Sequence, residues 1–126
     1  MARNTRYTYK ECPEGLNFDV YHKIRQRRLQ MLVHSFLYYR LNTNIISDYD
    51  FDMWAKELYE LQRDYPQESV VCDLYEEFKD WTGASGYHLP QYDWVYEKAL
   101  RLLRYQEAEI LNSFPSLTPS SQPKTP

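Results

Sequence analysis

Asp48 and Asp52 stand four residues apart just after Ser47, a spacing that stacks both carboxylates on one face of a helix. In the first turn and a half of that helix they also complement its dipole, worth ~0.3–1 kcal/mol each. Asp50, between them, is placed to act in the cap. Thirteen tyrosines in 126 residues, with 17% aromatic content, form the second unusual feature. Tyrosine offers a flat apolar face with a polar tip, which suits ligand stacking and protein interfaces alike. Tyrosines lying over an undersized core would give the same composition. A third group, Lys23, Arg25, Arg27 and Arg28, has the charge to touch phosphates. It is brief and interrupted by Ile24 and Gln26, so it reads as a solvated helix face, and nucleic acid is not expected as a partner of the chain by itself.

The usual carriers of catalysis are missing. The sequence holds no G-x-G-x-x-G, Walker lysine loop, H-E-x-x-H or G-x-S-x-G, and no cysteine beside a plausible base. Gly83-Ala84-Ser85-Gly86 is too short to cradle a diphosphate and reads as a turn. Cys12 and Cys72 lie far apart, as reduced thiols do, and His22, His34 and His88 lack ligand spacing. The expectation is a protein that is not an enzyme and has no metal site.

Composition narrows the setting. A chain of 126 residues fits one domain with one modest core. Mean hydropathy is −0.76 with 43% apolar residues, so the apolar groups must lie on faces. No run approaches the ~20 apolar residues of a membrane span, and MARNTRYTYK has neither the apolar centre of a secretory signal nor the length of a transit peptide. A cytoplasmic location is expected. Charge is polarised along the chain: residues 1–47 carry eight Lys/Arg against three Asp/Glu, and residues 48–80 carry three against eleven.

The elements that would position these groups are helical. Residues 1–17, with Pro13 and Gly15, read as an irregular arm, and Asn17 or Asp19 can cap a helix beginning there. Val20, Ile24, Leu29, Leu32, Val33, Phe36, Leu37 and Leu41 recur mostly at helical spacing and predict a long helix over about 19–42. After the loop 42–46, Ser47 as N-cap, Asp50 three residues on, and the Ile46/Phe51 staple positions mark the start of a second helix. Its stripe is Phe51, Trp54, Ala55, Leu58 and Leu61, and Tyr65-Pro66 closes it. A third helix is predicted over 67–81 through Val71, Leu74, Phe78 and Trp81, then a loop at 82–86. A fourth is predicted over 91–112, through Trp94, Val95, Ala99, Leu102, Leu103 and Ile110. The predicted architecture is all-α: one small four-helix domain, residues 18–112, built on a helix–turn–helix hairpin. The Pro/Ser/Thr stretch 113–126 is expected to be a disordered C-terminal tail.

The order Phe36-Leu37-Tyr38-Tyr39-Arg40-Leu41, Ile46-Ser47-Asp48-Tyr49-Asp50-Phe51-Asp52, Glu57-Leu58-Tyr59-Glu60-Leu61 and Tyr65-Pro66 resembles the N-terminal Ia subdomain of bacterial NAD-dependent DNA ligases. There Tyr-Tyr or Tyr-His ends one helix, I-S-D-x-x-Y-D opens the next, and that helix ends before His-Pro or Tyr-Pro. The likeness covers residues 29–70, a helical hairpin. It implies a fold that holds the nicotinamide mononucleotide half of NAD, with Tyr38, Tyr39, Asp48, Phe51 and Asp52 as cofactor-binding residues. Phe51 stands where the family usually has tyrosine, keeping the aromatic face without the hydroxyl. The adenylation domain of a ligase, with its K-x-D-G nucleophile, has no counterpart in these 126 residues. Beyond residue 70 the chain resembles short ligase-related proteins of phages and their hosts.

Two functions are expected on these grounds. One is a non-catalytic binding module for NAD or nicotinamide mononucleotide, with Tyr87, His88 and Trp94 as further candidates that core or surface packing explains better. The other is a phage-type protein-interaction or inhibitor protein that docks on a host ligase or an NAD-consuming defence enzyme.

Overall fold

The computed structural model describes residues 7–113 of the chain. Every regular element among them is helical: α1 (Phe18–Arg40), α2 (Asp48–Asp64), α3 (Pro66–Val71), α4 (Tyr75–Phe78) and α5 (Asp93–Ser113). The all-α expectation holds. Residues 1–6 of the arm, and the predicted disordered tail from residue 114 onward, lie outside the described residues. None of the described helices is long and apolar enough to cross a membrane.

Capping chemistry fixes the hairpin. The Asn17 side chain accepts from the Val20 backbone N–H at 3.0 Å and starts α1. At the other end the Leu41 N–H reaches the carbonyls of Phe36 and Leu37, and the Thr43 N–H returns to Leu37 O at 3.0 Å. Asn42 lies between them with φ +53°, the left-handed conformation that asparagine tolerates at a helix end. Ser47 Oγ then accepts from the Asp50 N–H at 3.0 Å and opens α2. Ile46 and Phe51, the staple positions, are both half-buried, and Phe51 packs against the core.

α1 is the central helix and packs on both α2 and α5. Its Ile24, Met31, Leu32 and Leu37 meet Ala55 and Leu58 of α2 and Trp94, Val95 and Ala99 of α5 in one buried cluster, joined by Cys72, Phe78, Trp81 and Leu89. The far end of α5 outruns this core. Ile110, assigned by periodicity to the buried stripe, is 49% exposed.

The third helix predicted over 67–81 is broken in two. Cys72 is extended (φ −72°, ψ 147°) and Leu74 is left-handed (φ 73°). Two arginines of α1 account for the break. Arg28 is fully buried and satisfies all its donors: Nε gives to Gln62 Oε1, one terminal nitrogen to the Cys72 and Asp73 carbonyls, and the other to Ser69 O and Oγ. Burial lowers its pKa to about 10, which leaves it charged at neutral pH. Arg25 Nε pairs with the buried Asp73 carboxylate at 3.0 and 3.2 Å, and its NH2 group donates to Lys10 O, tying the irregular arm to the body. A continuous helix would hold the 69–73 carbonyls in its own ladder. The buried guanidinium takes three of them instead. The break also shifts the register, so Val71 is exposed while Cys72 and Asp73 are buried.

The three arginines of the basic cluster are therefore not a solvated face. Arg25 and Arg28 are buried, and Arg27 bonds Glu57 at 2.8 Å while lying 5.2 Å from the Trp54 ring. The Arg25–Asp73 and Arg27–Glu57 pairs join the basic and acidic halves of the sequence. Part of the charge polarisation is thus neutralised within the molecule.

Candidate functional site

The hairpin turn encloses a cavity of about 270 Å³. The end of α1 contributes Tyr38 and Tyr39, the turn contributes Asn44, Ile46 and Ser47, and the first turns of α2 contribute Asp48, Phe51 and Asp52. All five residues singled out from the sequence thus line one space. Asp48 and Asp52 rise from the same face of α2 because they are one helical turn apart, and Phe51 lies between them in sequence on the side that meets the core. Neither aspartate side chain has a hydrogen-bond or ion-pair partner among the described residues. They are exposed acceptors, free to meet a ligand.

The tyrosines form an aromatic edge. Tyr38 and Tyr39 meet edge to face, with centroids 4.8 Å apart and planes at 84°. Tyr39 meets Tyr87 in the same way at 5.2 Å, and the Arg40 guanidinium lies 5.3 Å from the Tyr87 ring centre.

A stretch of this chain is related to DNA ligase. A DNA ligase from Christiangramia forsetii is 45% identical over 49 residues, which cover 39% of this chain. The chain spans 7% of the length of that ligase. No protein-family model matches the chain, and no solved structure matches it.

The remaining wall comes from the segment after Trp81. Trp81 Nε1 donates to Ala55 O at 3.0 Å and pins this segment to α2. Gly83 then passes so close to α2 that a Cβ would stand 3.3 Å from the same carbonyl, and its φ is +87°. Ala84 and Ser85 are delivered to the cavity in this way. Ser85 Oγ lies 3.3 Å from Tyr39 Oη and accepts from the Tyr87 N–H at 3.2 Å, so one hydroxyl joins the two tyrosines. The turn at 82–86 is a wall of the site as well as a connector.

His34 is a cavity residue that neither spacing nor resemblance assigns to the site. It is 8% exposed, its Nδ1 is buried without a partner, and its ring lies 5.7 Å from that of Trp54. Burial pushes the imidazole below its ordinary value of 6.5, so it is neutral at pH 7. The usable signal in the sequence is its position four residues before Tyr38, on the same helix face. Of the other candidates, Trp94 is core, and Tyr87 and His88 are exposed and do not line the cavity, Tyr87 reaching it only through Tyr39 and Ser85.

Proposed function

We propose that the chain is a non-catalytic binding module for nicotinamide mononucleotide, free or as that half of NAD. The observation that carries this reading is the convergence of Tyr38, Tyr39, Asp48, Phe51 and Asp52 on one cavity. Oxidised nicotinamide is a cationic ring, and tyrosine faces attract such a cation by ~0.5–2 kcal/mol. Two carboxylates without internal partners match its charge and accept from its amide or the ribose hydroxyls. Phe51 adds an apolar face, and neutral His34 adds no opposing charge. The volume supports a small occupant: small-molecule pockets run to ~300–1,000 Å³, and about 270 Å³ suits a nucleoside-sized group better than a whole dinucleotide.

Calorimetry with nicotinamide mononucleotide and NAD tests the proposal. Both are expected to bind at or below millimolar concentration, and a Tyr38→Ala, Asp48→Ala double variant to lose about tenfold or more, combining one cation–π contact and one charged hydrogen bond. Absence of binding to the native chain at millimolar ligand would refute it.

A second reading rests on the exposed tyrosines around the hairpin turn, Tyr38, Tyr49 and Tyr87, which are 52%, 69% and 58% exposed. Aromatic side chains anchor interfaces, and these suit a protein partner such as a ligase or an NAD-consuming enzyme. Such a partner would cover the cavity mouth and compete with the nucleotide.

A further inference from the structure

The charged groups lining the cavity are all acidic, and this limits which part of a nucleotide can enter it. Asp48 and Asp52 suit a cationic ring and would repel a phosphate. Nicotinamide mononucleotide carries both, so its phosphate is expected outside the carboxylate end, where a nearby cation would hold it. We infer that Arg40, held over Tyr87, is the phosphate-holding residue of this site and makes it select a nucleotide over the corresponding nucleoside. The inference rests on the nicotinamide reading and names the residue that would read the other end of the ligand.

A continuous set of contacts leads from the cavity to this guanidinium. Tyr39 lines the cavity, Tyr87 meets Tyr39 edge to face at 5.2 Å, and Arg40 lies 5.3 Å from the Tyr87 ring centre. Ser85, itself on the cavity wall, fixes both tyrosines through its hydroxyl. The guanidinium is thus two ring contacts from the wall, and Arg40 and Tyr87 line an adjoining groove that shares Tyr39 with the cavity. Arg40 is exposed, and among the described residues it has no carboxylate or carbonyl partner. An arginine that rests its face on an aromatic ring keeps its in-plane N–H donors free, in the fork that matches phosphate oxygens. Arg25, Arg27 and Arg28 are committed to internal partners, so the arginines of the earlier basic cluster do not compete for this role.

Calorimetry of the full chain with nicotinamide mononucleotide and nicotinamide riboside, which differ only by the phosphate, tests the inference. The native chain is expected to prefer the nucleotide by about tenfold, as one charged hydrogen-bonding contact implies. Arg40→Gln should remove that preference by weakening the nucleotide alone, with riboside affinity unchanged. Tyr87→Leu, which leaves the charge but removes its support, should reduce the preference by about threefold. Circular dichroism checks that both variants remain helical. If Arg40→Gln weakens both ligands equally, or the preference survives it, the inference is overturned while the nicotinamide reading stands. If the native chain binds neither ligand, both are overturned.

Discussion

His34 shows how a residue without a recognisable motif acquires a role from its surroundings. Scattered among the other histidines it has no ligand spacing, yet α1 places it under Tyr38, where water cannot solvate its charge. Its pKa is lowered by burial, so between the folded value and 6.5 the unfolded chain binds more protons than the folded one. Its contribution to stability is therefore fully present above pH 6.5 and is lost as pH falls below that value. The charged and titratable groups around it are Asp48 and Asp52 across the cavity, Tyr38 and Tyr39 on its own helix, and Lys98, Arg101 and Tyr105 of α5 in the cleft on its other side. Urea unfolding of the native chain and of His34→Gln at pH 7.5 and 5.0 checks this. The native chain should lose stability relative to the variant at the lower pH, and an unchanged difference between the two proteins would show that His34 does not titrate on unfolding. Phe51 illustrates the opposite case, where two readings of one residue coexist. Its ring lines the cavity and also packs on the core, so the staple and the site share one side chain.

Among the elements, local chemistry was readable and long-range chemistry was not. Ser47, Asp50, Ile46 and Phe51 announce the start of α2 because a cap depends only on the next few residues. That start, with the turn before it, is enough to bring Tyr38 and Tyr39 opposite Asp48 and Asp52. The break between α3 and α4 depends on Arg28, which is 41 to 45 residues away from the groups it bonds there, and no periodicity within 67–81 could reveal it. The loop wall is a similar case. A glycine-containing turn was visible, but its docking depends on Trp81 reaching Ala55 and on Gly86 lying against Ser35. A Cβ on Gly86 would stand 1.9 Å from Ser35 Oγ and 2.9 Å from Ser35 Cβ. Gly86→Ala should therefore destabilise the fold by ~1–3 kcal/mol through overpacking and weaken ligand binding by moving Ser85. Ser35 Oγ is buried without a partner, so Ser35→Ala alone should be neutral or mildly stabilising. Adding it to Gly86→Ala should recover part of the loss, because the oxygen is the nearer obstacle. Thermal melts of the two single variants and the double variant measure this coupling, and additivity would mean that the two residues do not press on each other.

For the molecule as a whole, the question is how much of a dinucleotide one small helical body can hold. On the proposed reading the cavity of about 270 Å³ would take the nicotinamide end and Arg40 its phosphate, and no described residue is assigned to the adenosine half. These 126 residues contain no lysine followed by the x-Asp-Gly pattern that a ligase uses to take the adenylate. NAD should then bind no more tightly than nicotinamide mononucleotide, the two agreeing within about threefold, or ~0.7 kcal/mol. The slightly weaker of the two should be NAD, because there the same phosphate is part of a diphosphate bridge and offers Arg40 less charge. Each ligand at 100 times its Kd adds ~2.7 kcal/mol to folding stability, so parallel melts give a second readout with equal shifts at equal saturation. A tenfold preference for NAD would contradict this and require a second subsite. The place to seek it would be the open cleft between α1 and α5, which shares His34 with the cavity and presents Lys98, Arg101 and Tyr105. An Arg101→Gln variant that lost only the extra NAD affinity would then locate the adenosine diphosphate end, whereas equal affinities leave that cleft outside the site.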